Sequence, residues 1–394
     1  MKTGAKLLFV LLSGASIVVL FSMGIRGQDH PEAISQSVGA YFPPSESGGG
    51  WRRCHNDDEA RKLAGFDTKM LDFVGQFHRA RSFDGPWVIV VIRHGYLARE
   101  WYQSAGPQDT FCVMSCTKSV TGIAYGMLME DSRNHRLPHD ASIDLDSRAY
   151  DFIPEGHPLT DQRKENIKLR HLLTMTSGIP GEDRGMFLSI APGGGEFEIA
   201  LGKQLNNEGI TAAKLYAEPG EAWDYSDAAF AHLSLIFARV MGMEVGEYVK
   251  ERVFQPIGVE NFGWDSEGSG GNIGPHSNVE GGLRISGRDF ARLGYLMARG
   301  GVWKGQQIVP KWWIDLATKS SQKINRSYGY TCWVNTDGML WPGVPKDAFA
   351  FMGYESNRCY VVPSLDLVVV RLGFSPPVWS EGELLPRVVR AVAQ

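Results

Sequence analysis

The sequence predicts an α/β chain of the α+β kind, with an antiparallel sheet flanked by helices and a largely helical subdomain set into it. Three observations carry this. Apolar, β-rich runs gather towards the two ends of the chain, from Trp87 to Tyr102 and from Tyr328 to Val370. Between them lie stretches whose apolar residues recur at helical spacing, and Gly- and Pro-containing loops punctuate the change from one kind to the other. Strands at both ends with helices between imply that N- and C-terminal segments share one sheet. The expected main domain, 58–394, then divides into an α/β part over 58–105 and 271–394 and a helical part over 106–270. A cleft between the two is the natural place for a site.

Composition supports a sizeable core. Of 394 residues, 43% are hydrophobic and 21% charged, and the net charge of −4 comes from interspersed Lys, Arg, Asp and Glu. No basic tract suggests a nucleic-acid partner. Five cysteines are too few and too scattered for a disulfide scaffold. Cys332 and Cys359 fall in candidate strands, where either pairing or small buried thiols would fit. No Cys or His cluster has metal spacing, so neither a metal nor another cofactor is expected.

Taken in order, Lys2 and Lys6 precede an uncharged stretch from Leu7 to Ile25. This reads as an export signal over 1–27, either removed or kept as a membrane anchor, so the protein is expected to be exported, periplasmic or secreted. Residues 28–57, with Pro43-Pro44 and Gly48-Gly49-Gly50, read as a linker or an N-terminal wrap. Asp67 resembles an N-cap for a helix whose apolar positions include Met70, Phe73, Val74 and Phe77. Trp87 to Ile92 and Tyr96 to Tyr102 flank Arg93-His94-Gly95 as a hairpin. Ile167 to Ser177 reads as a helix stopped by Gly178, and Gly193-Gly194-Gly195 as a loop. Further helices are expected from Ser226 through Phe230, Leu233, Phe237 and Val240, from Ser286 to Met297, and from Glu381 to Val392, with a flexible loop from Gly268 to Gly274. Strands are expected over Tyr328–Val334, Phe349–Met352, Arg358–Val362 and Leu367–Val370. Trp87, Trp101 and Trp333 are expected to pack in the core.

The stretch with chemical content is Ser115-Cys116-Thr117-Lys118, which opens a helix carrying Val120, Ile123, Ala124, Met127 and Leu128 on one stripe. Residues three apart on a helix can touch, so a Lys118 amine could accept the proton of the Ser115 hydroxyl. A helix N-terminus favours a developing alkoxide there. The tetrapeptide alone is equally consistent with a capping serine and a solvated lysine. No Gly-x-Ser-x-Gly elbow occurs, which disfavours an α/β-hydrolase. Among ten histidines, His94 at the hairpin tip and His171 in an apolar helix context read as structural rather than as members of a Ser/His/Asp triad.

Four further blocks follow in order: Leu172-Leu173-Thr174-Met175-Thr176-Ser177-Gly178, Pro219-Gly220-Glu221-Ala222-Trp223-Asp224-Tyr225-Ser226-Asp227, Gly281-Gly282-Leu283-Arg284-Ile285-Ser286-Gly287-Arg288-Asp289, and Gly353-Tyr354-Glu355-Ser356-Asn357 leading into Val361-Val362-Pro363. With the Ser-x-x-Lys, these resemble the serine β-lactamase and penicillin-binding-protein superfamily, from about Phe66 to the C-terminus. The likeness is to its class C-like branch, which includes family VIII esterases and 6-aminohexanoate-dimer hydrolases. The resemblance implies a β-lactamase/transpeptidase-like fold. It implies Ser115 as the acylated nucleophile, Lys118 as helper base, Tyr225 as a proton-sharing phenol, and the backbone N–H groups of Ser115 and Asn357 as an oxyanion hole.

Two places depart from the family pattern. The family's Tyr-x-Asn reads Tyr225-Ser226-Asp227, where Asp227 either faces Lys118 and favours its ammonium form or caps the following helix. The family's Lys-Thr-Gly or His-x-Gly is assigned to Tyr354-Glu355-Ser356, which should not hold an anionic substrate, and Ser356 should crowd the edge strand. Asp227, Tyr354, Glu355 and Ser356 are therefore the candidate substrate-binding residues. The function expected is an exported serine hydrolase acting on a small-molecule ester, amide or peptide. The alternatives are a catalytically silent binding relative and a β-lactamase or D-alanyl-D-alanine carboxypeptidase.

Overall fold

The computed structural model describes residues 41–81, 85–188, 195–376 and 380–393. The expected export signal, the first part of the 28–57 segment and Gly193-Gly194 lie outside the described residues. Its centre is a seven-stranded sheet in the order Arg52–Arg53, Tyr96–Gln103, Trp87–Arg93, Leu367–Gly373, Asn357–Val362, Phe349–Gly353, Trp333–Val334. Every pairing is antiparallel except the first. The two ends of the chain meet where Leu367 faces Arg93 and Gly373 faces Trp87.

The central strands are apolar without alternation because both faces of the sheet are covered. Val88, Val90 and Ile92 point into one core with Val368 and Val370, and Trp87, Ile89 and Val91 into the other with Leu367 and Val369. Their hairpin closes on two residues, His94 and Gly95, both with positive φ (53° and 74°), the turn that matches strand twist. Residues 41–53 act as a wrap: Arg292 donates to the carbonyls of Pro43 and Pro44, and Glu46 accepts from Arg288 and Arg292.

Cys116–Arg133 is the helix around which the first core is built, and every residue from Cys116 to Met129 is buried. Its polar side chains are satisfied by neighbouring backbone: Thr121 Oγ1 donates to Val279 O at 3.0 Å and Tyr125 OH to Leu233 O at 2.7 Å. Gly126 lets the segment 311–317 approach, since a Cβ there would lie 2.2 Å from the ring of fully buried Trp313.

Four elements differ from their sequence reading. The first long helix, Thr68–Arg81, does begin after Asp67, whose Oδ1 accepts from the Lys69 and Met70 N–H groups, but it buries Leu71, Val74 and His78. Met70 and Phe73 are exposed, and Phe73 and Phe77 sit under the Arg387 guanidinium instead of in the core. The helix expected over 167–177 runs only Leu169–Leu173, because Met175 turns into the left-handed region at φ 61°. The Tyr328–Val334 run pairs only at Trp333–Val334, plus a bridge from Tyr328 to Trp333. The last helix is Leu385–Arg390. All five cysteines are free thiols, with Cys332 and Cys359 buried and unpaired with one another.

The packing at Gly126 yields a stability test. Alanine is the better helix former by roughly 1 kcal/mol, whereas overpacking costs about 1–3 kcal/mol. With Trp313 enclosed and unable to swing away, overpacking should win. Gly126→Ala is expected to lower unfolding stability by about 1–2 kcal/mol in urea. An unchanged or raised midpoint would show that Trp313 yields.

Candidate active site

Ser115 occupies the N-cap position of the Cys116–Arg133 helix but does not cap it, which leaves its hydroxyl free for other partners. Met114 precedes it at φ 51°, a sharp entry for a side chain other than glycine. Thr117 braces this turn, its hydroxyl donating to Met114 O at 2.7 Å and accepting from Leu283 N at 3.1 Å. One helical turn on, Lys118 is buried at 1% exposure. Its Nζ lies 3.1 Å from Ser115 Oγ, 3.0 Å from Glu280 O and 2.5 Å from Asp227 Oδ1.

Tyr225 completes the group from the segment leading into the Asp227–Met241 helix. Its ring stands beside the pair, with the Lys118 amine 5.0 Å from the ring centroid. The Tyr225 backbone is held by the Glu182 N–H, donating to Tyr225 O at 3.1 Å. Ser226 is the helix cap, accepting from Ala229 N at 2.9 Å. Asp227 therefore does not cap the helix, and of the two orientations open from sequence it takes the one facing Lys118.

The electrostatics follow from burial and from this carboxylate. Burial alone would lower the Lys118 amine, but Asp227, then Tyr225 and Glu280, override it and hold the amine well above its ordinary range. Burial pushes the Tyr225 phenol up to about 12, against the pull of Lys118 and with a further push from Asp227. Glu182, Glu267 and Glu280 are all pushed up, by burial first and then by neighbouring carboxylates. Glu182 Oε1 accepts the Asp227 N–H at 2.9 Å. The resting site is thus one buried ammonium among four carboxyl groups.

Opposite the nucleophile stands the sheet edge. A Cβ on Gly353 would lie 2.2 Å from Val113 O and 3.1 Å from the Ser115 and Cys116 nitrogens, so only glycine allows this approach. The expected roles of the next four residues change here. The Asn357 N–H donates to Tyr354 O at 3.2 Å, and the Asn357 side chain bridges Tyr354 O, Cys112 O and the Gly373 N–H. Asn357 is therefore a brace for the edge turn, its amide already engaged. The backbone beside Ser115 is that of Gly353. The Glu355 carboxylate accepts from Ser375 N at 2.8 Å, and buried Ser356 bonds the Ser375 hydroxyl at 2.8 Å. Neither crowds the nucleophile, because Tyr354-Glu355-Ser356 forms the hairpin turn rather than the strand. The Tyr354 side chain is 76% exposed.

Sequence reading missed Glu182, Glu267 and Glu280, although Glu280 adjoins the quoted Gly281-Gly282 block. It also placed Trp333 in the core, whereas its ring stacks on Tyr225 (6.4 Å between centroids, 22° between planes) as part of an aromatic wall with Trp223 and Tyr328. Among the described residues no histidine bonds to Ser115. His94 pairs with Asp366, and His171 accepts the Lys168 N–H at its own helix start.

A serine at a helix start, with a lysine one turn on and a tyrosine from a second segment beside a sheet edge, marks the class of proteins built around an active-site serine without histidine. The chain belongs to the Beta-lactamase family, whose model matches residues 74–392. It is 24% identical to PbpX of Bacillus subtilis (strain 168) over 266 residues, 66% of this chain, and the match spans 60% of that relative. Its fold is shared with EstCE1, a hydrolase with promiscuous acyltransferase activity (TM-score 0.60, 16% identity, 83% of this chain and 98% of that one). It is shared too with the octameric penicillin-binding protein homologue from Pyrococcus abyssi (TM-score 0.59, 20% identity, 83% and 76%).

The contact at Gly353 gives a test of geometry. Gly353→Ala should displace the turn that carries Ser115, and a shift of about 1 Å at a reacting group can cost on the order of 100-fold in rate. The variant is expected to keep its circular dichroism spectrum and lose at least tenfold in the rate at which a fluorophosphonate labels Ser115. Unchanged kinetics would mean that the edge strand does not set the position of Ser115.

Proposed function

We propose that this protein is an exported serine hydrolase that cleaves a neutral carboxylic ester or amide through an acyl-enzyme on Ser115. The observation that supports it is the meeting of the Lys118 amine and the Ser115 hydroxyl at 3.1 Å beside the Tyr225 ring, whose centroid lies 5.0 Å from the same amine. Ser115 Oγ attacks the substrate carbonyl carbon as its proton passes to the Lys118–Tyr225 pair. The backbone N–H of Ser115 is the candidate donor to the developing oxyanion, a donor of that kind contributing about 3 kcal/mol at the transition state. Collapse breaks the bond to the alcohol or amine, which takes a proton from the pair. Water then attacks the acyl carbon, the acid leaves and Ser115 regains its proton.

Charge selects the substrate class. The Lys118 ammonium beside Ser115 is matched by Asp227, and Glu182, Glu267 and Glu280 add acidity around it. Lys118 is therefore not free for an anionic carboxylate such as that of a β-lactam or a peptide C-terminus, whereas a neutral ester would meet the aromatic wall of Trp223, Tyr225 and Trp333. Export rests on the Lys2, Lys6 and Leu7–Ile25 pattern. Among the described residues no single helix is long and apolar enough to cross a membrane.

A second reading, a silent relative that binds without turnover, is favoured by one observation, the Lys118–Asp227 ion pair, which opposes base catalysis. Hydrolysis of p-nitrophenyl acetate separates the two. The enzyme should exceed Ser115→Ala by at least about 10³-fold, as loss of a nucleophile does elsewhere, with little nitrocefin turnover. Equal rates for the two proteins would favour the silent reading, and fast nitrocefin hydrolysis would restore the β-lactamase.

A further inference from the structure

Lys118 Nζ is bonded to one carbon and meets three oxygens, those of Ser115 Oγ, Glu280 O and Asp227 Oδ1. As an ammonium it has three N–H groups for these three acceptors. As a neutral amine it keeps two, which Asp227 and the Glu280 carbonyl can take, leaving the lone pair as the fourth tetrahedral direction, aimed at the Ser115 hydroxyl. Asp227 thus acts in two separable ways. Its oxygen helps to orient the amine for proton transfer, and its charge opposes the loss of the proton that would create that amine.

We propose that Asp227 is a positioning residue whose charge sets the pH at which Ser115 becomes nucleophilic, making this an alkaline-shifted hydrolase that a single carboxylate-to-amide change would move towards neutrality. The inference rests on the hydrolase reading above. It does not depend on which partner is the base, because the Asp227 charge raises the proton affinity of both Lys118 and Tyr225. Whichever group gives up the proton, removing that charge makes the loss easier.

The other titratable groups around the pair fix the size of the effect. Glu182 faces Asp227 from the 182–184 turn, and Glu280, with Glu267 behind it, faces Lys118 from the loop and strand beside Leu283–Ser286. Tyr328 faces Tyr225, and Cys116 lies next to Ser115 on the helix itself. Asp227 pushes Glu182 and Glu280 up, so its neutralisation lets them ionise more readily and partly replaces the lost charge. A neighbouring unit charge shifts a pKa by roughly 1–3 units, and this compensation puts the expected shift at about 1–2.

The test is the pH dependence, from pH 5 to 10, of covalent labelling of Ser115 by a fluorophosphonate and of kcat/KM for p-nitrophenyl acetate. Wild type is expected to have a labelling rate still rising at pH 9. Asp227→Asn, which keeps the oxygen and drops the charge, should move the acidic limb down by about 1–2 pH units and label roughly tenfold or more faster at pH 7. Asp227→Ala, which drops both, should show the same shift with a lower plateau. Wild type that labels with a profile coincident with that of Asp227→Asn overturns this inference while leaving the hydrolase reading intact. Wild type that never labels overturns both. If Asp227→Asn does not fold, the wild-type profile decides, since a rate flat between pH 7 and 9 contradicts a charge-locked pair.

Discussion

The interaction on which this structure turns is the burial of one ammonium. Taking Lys118 out of water costs several kcal/mol, and leaving it unpaired would be destabilising on the same scale. One of its three partners, Ser115, comes from its own helix, and two come from distant parts of the chain, Asp227 from the start of a second helix and the Glu280 carbonyl from the loop before Leu283–Ser286. Folding must bring all three together to satisfy the charge. A buried ion pair is weak ground for net stability, and one set beside a hydroxyl marks a candidate site.

The rest of the fold serves to hold that hydroxyl. The sheet is covered on both faces, which makes its strands rigid, and its edge at Gly353 touches the turn that carries Ser115. Arg358 fastens the same edge from behind, donating to Gly353 O at 2.5 Å and Asn357 O at 2.7 Å. The Ser115 hydroxyl is therefore set by two independent supports, the buried helix and the braced strand end. Precise placement matters more here than in a protein with a strong base, because both candidate bases are held in their protonated forms.

Much of this was legible in the sequence, for local reasons. The Ser115 helix, the 87–103 hairpin, the Ser226-capped helix and the sharing of one sheet by both chain ends are written in periodicity, caps and turn residues. What escaped was decided by tertiary contact. The Thr68–Arg81 helix carries two apolar stripes, and only packing chooses Leu71, Val74 and His78 over Met70, Phe73 and Phe77. Tyr354-Glu355-Ser356, expected on the edge strand, forms the turn after it, since one apolar strand of Phe349–Gly353 gives no signal of where pairing ends and the turn begins. Glu182, Glu267 and Glu280 are widely spaced acids whose gathering around Lys118 exists only in three dimensions. Asp227 was seen as either a cap or a partner of Lys118, and Ser226, one residue earlier, resolves it by taking the cap.

The central claim is that Ser115, driven by the Lys118–Tyr225 pair, becomes acylated. Intact-mass spectrometry after exposure to a slowly deacylating aryl ester, followed by peptide mapping, reads this directly. The account predicts a gain of one acyl mass located on Ser115 and absent from Lys118→Ala. An adduct on any other residue, or none where ester is consumed, would contradict it.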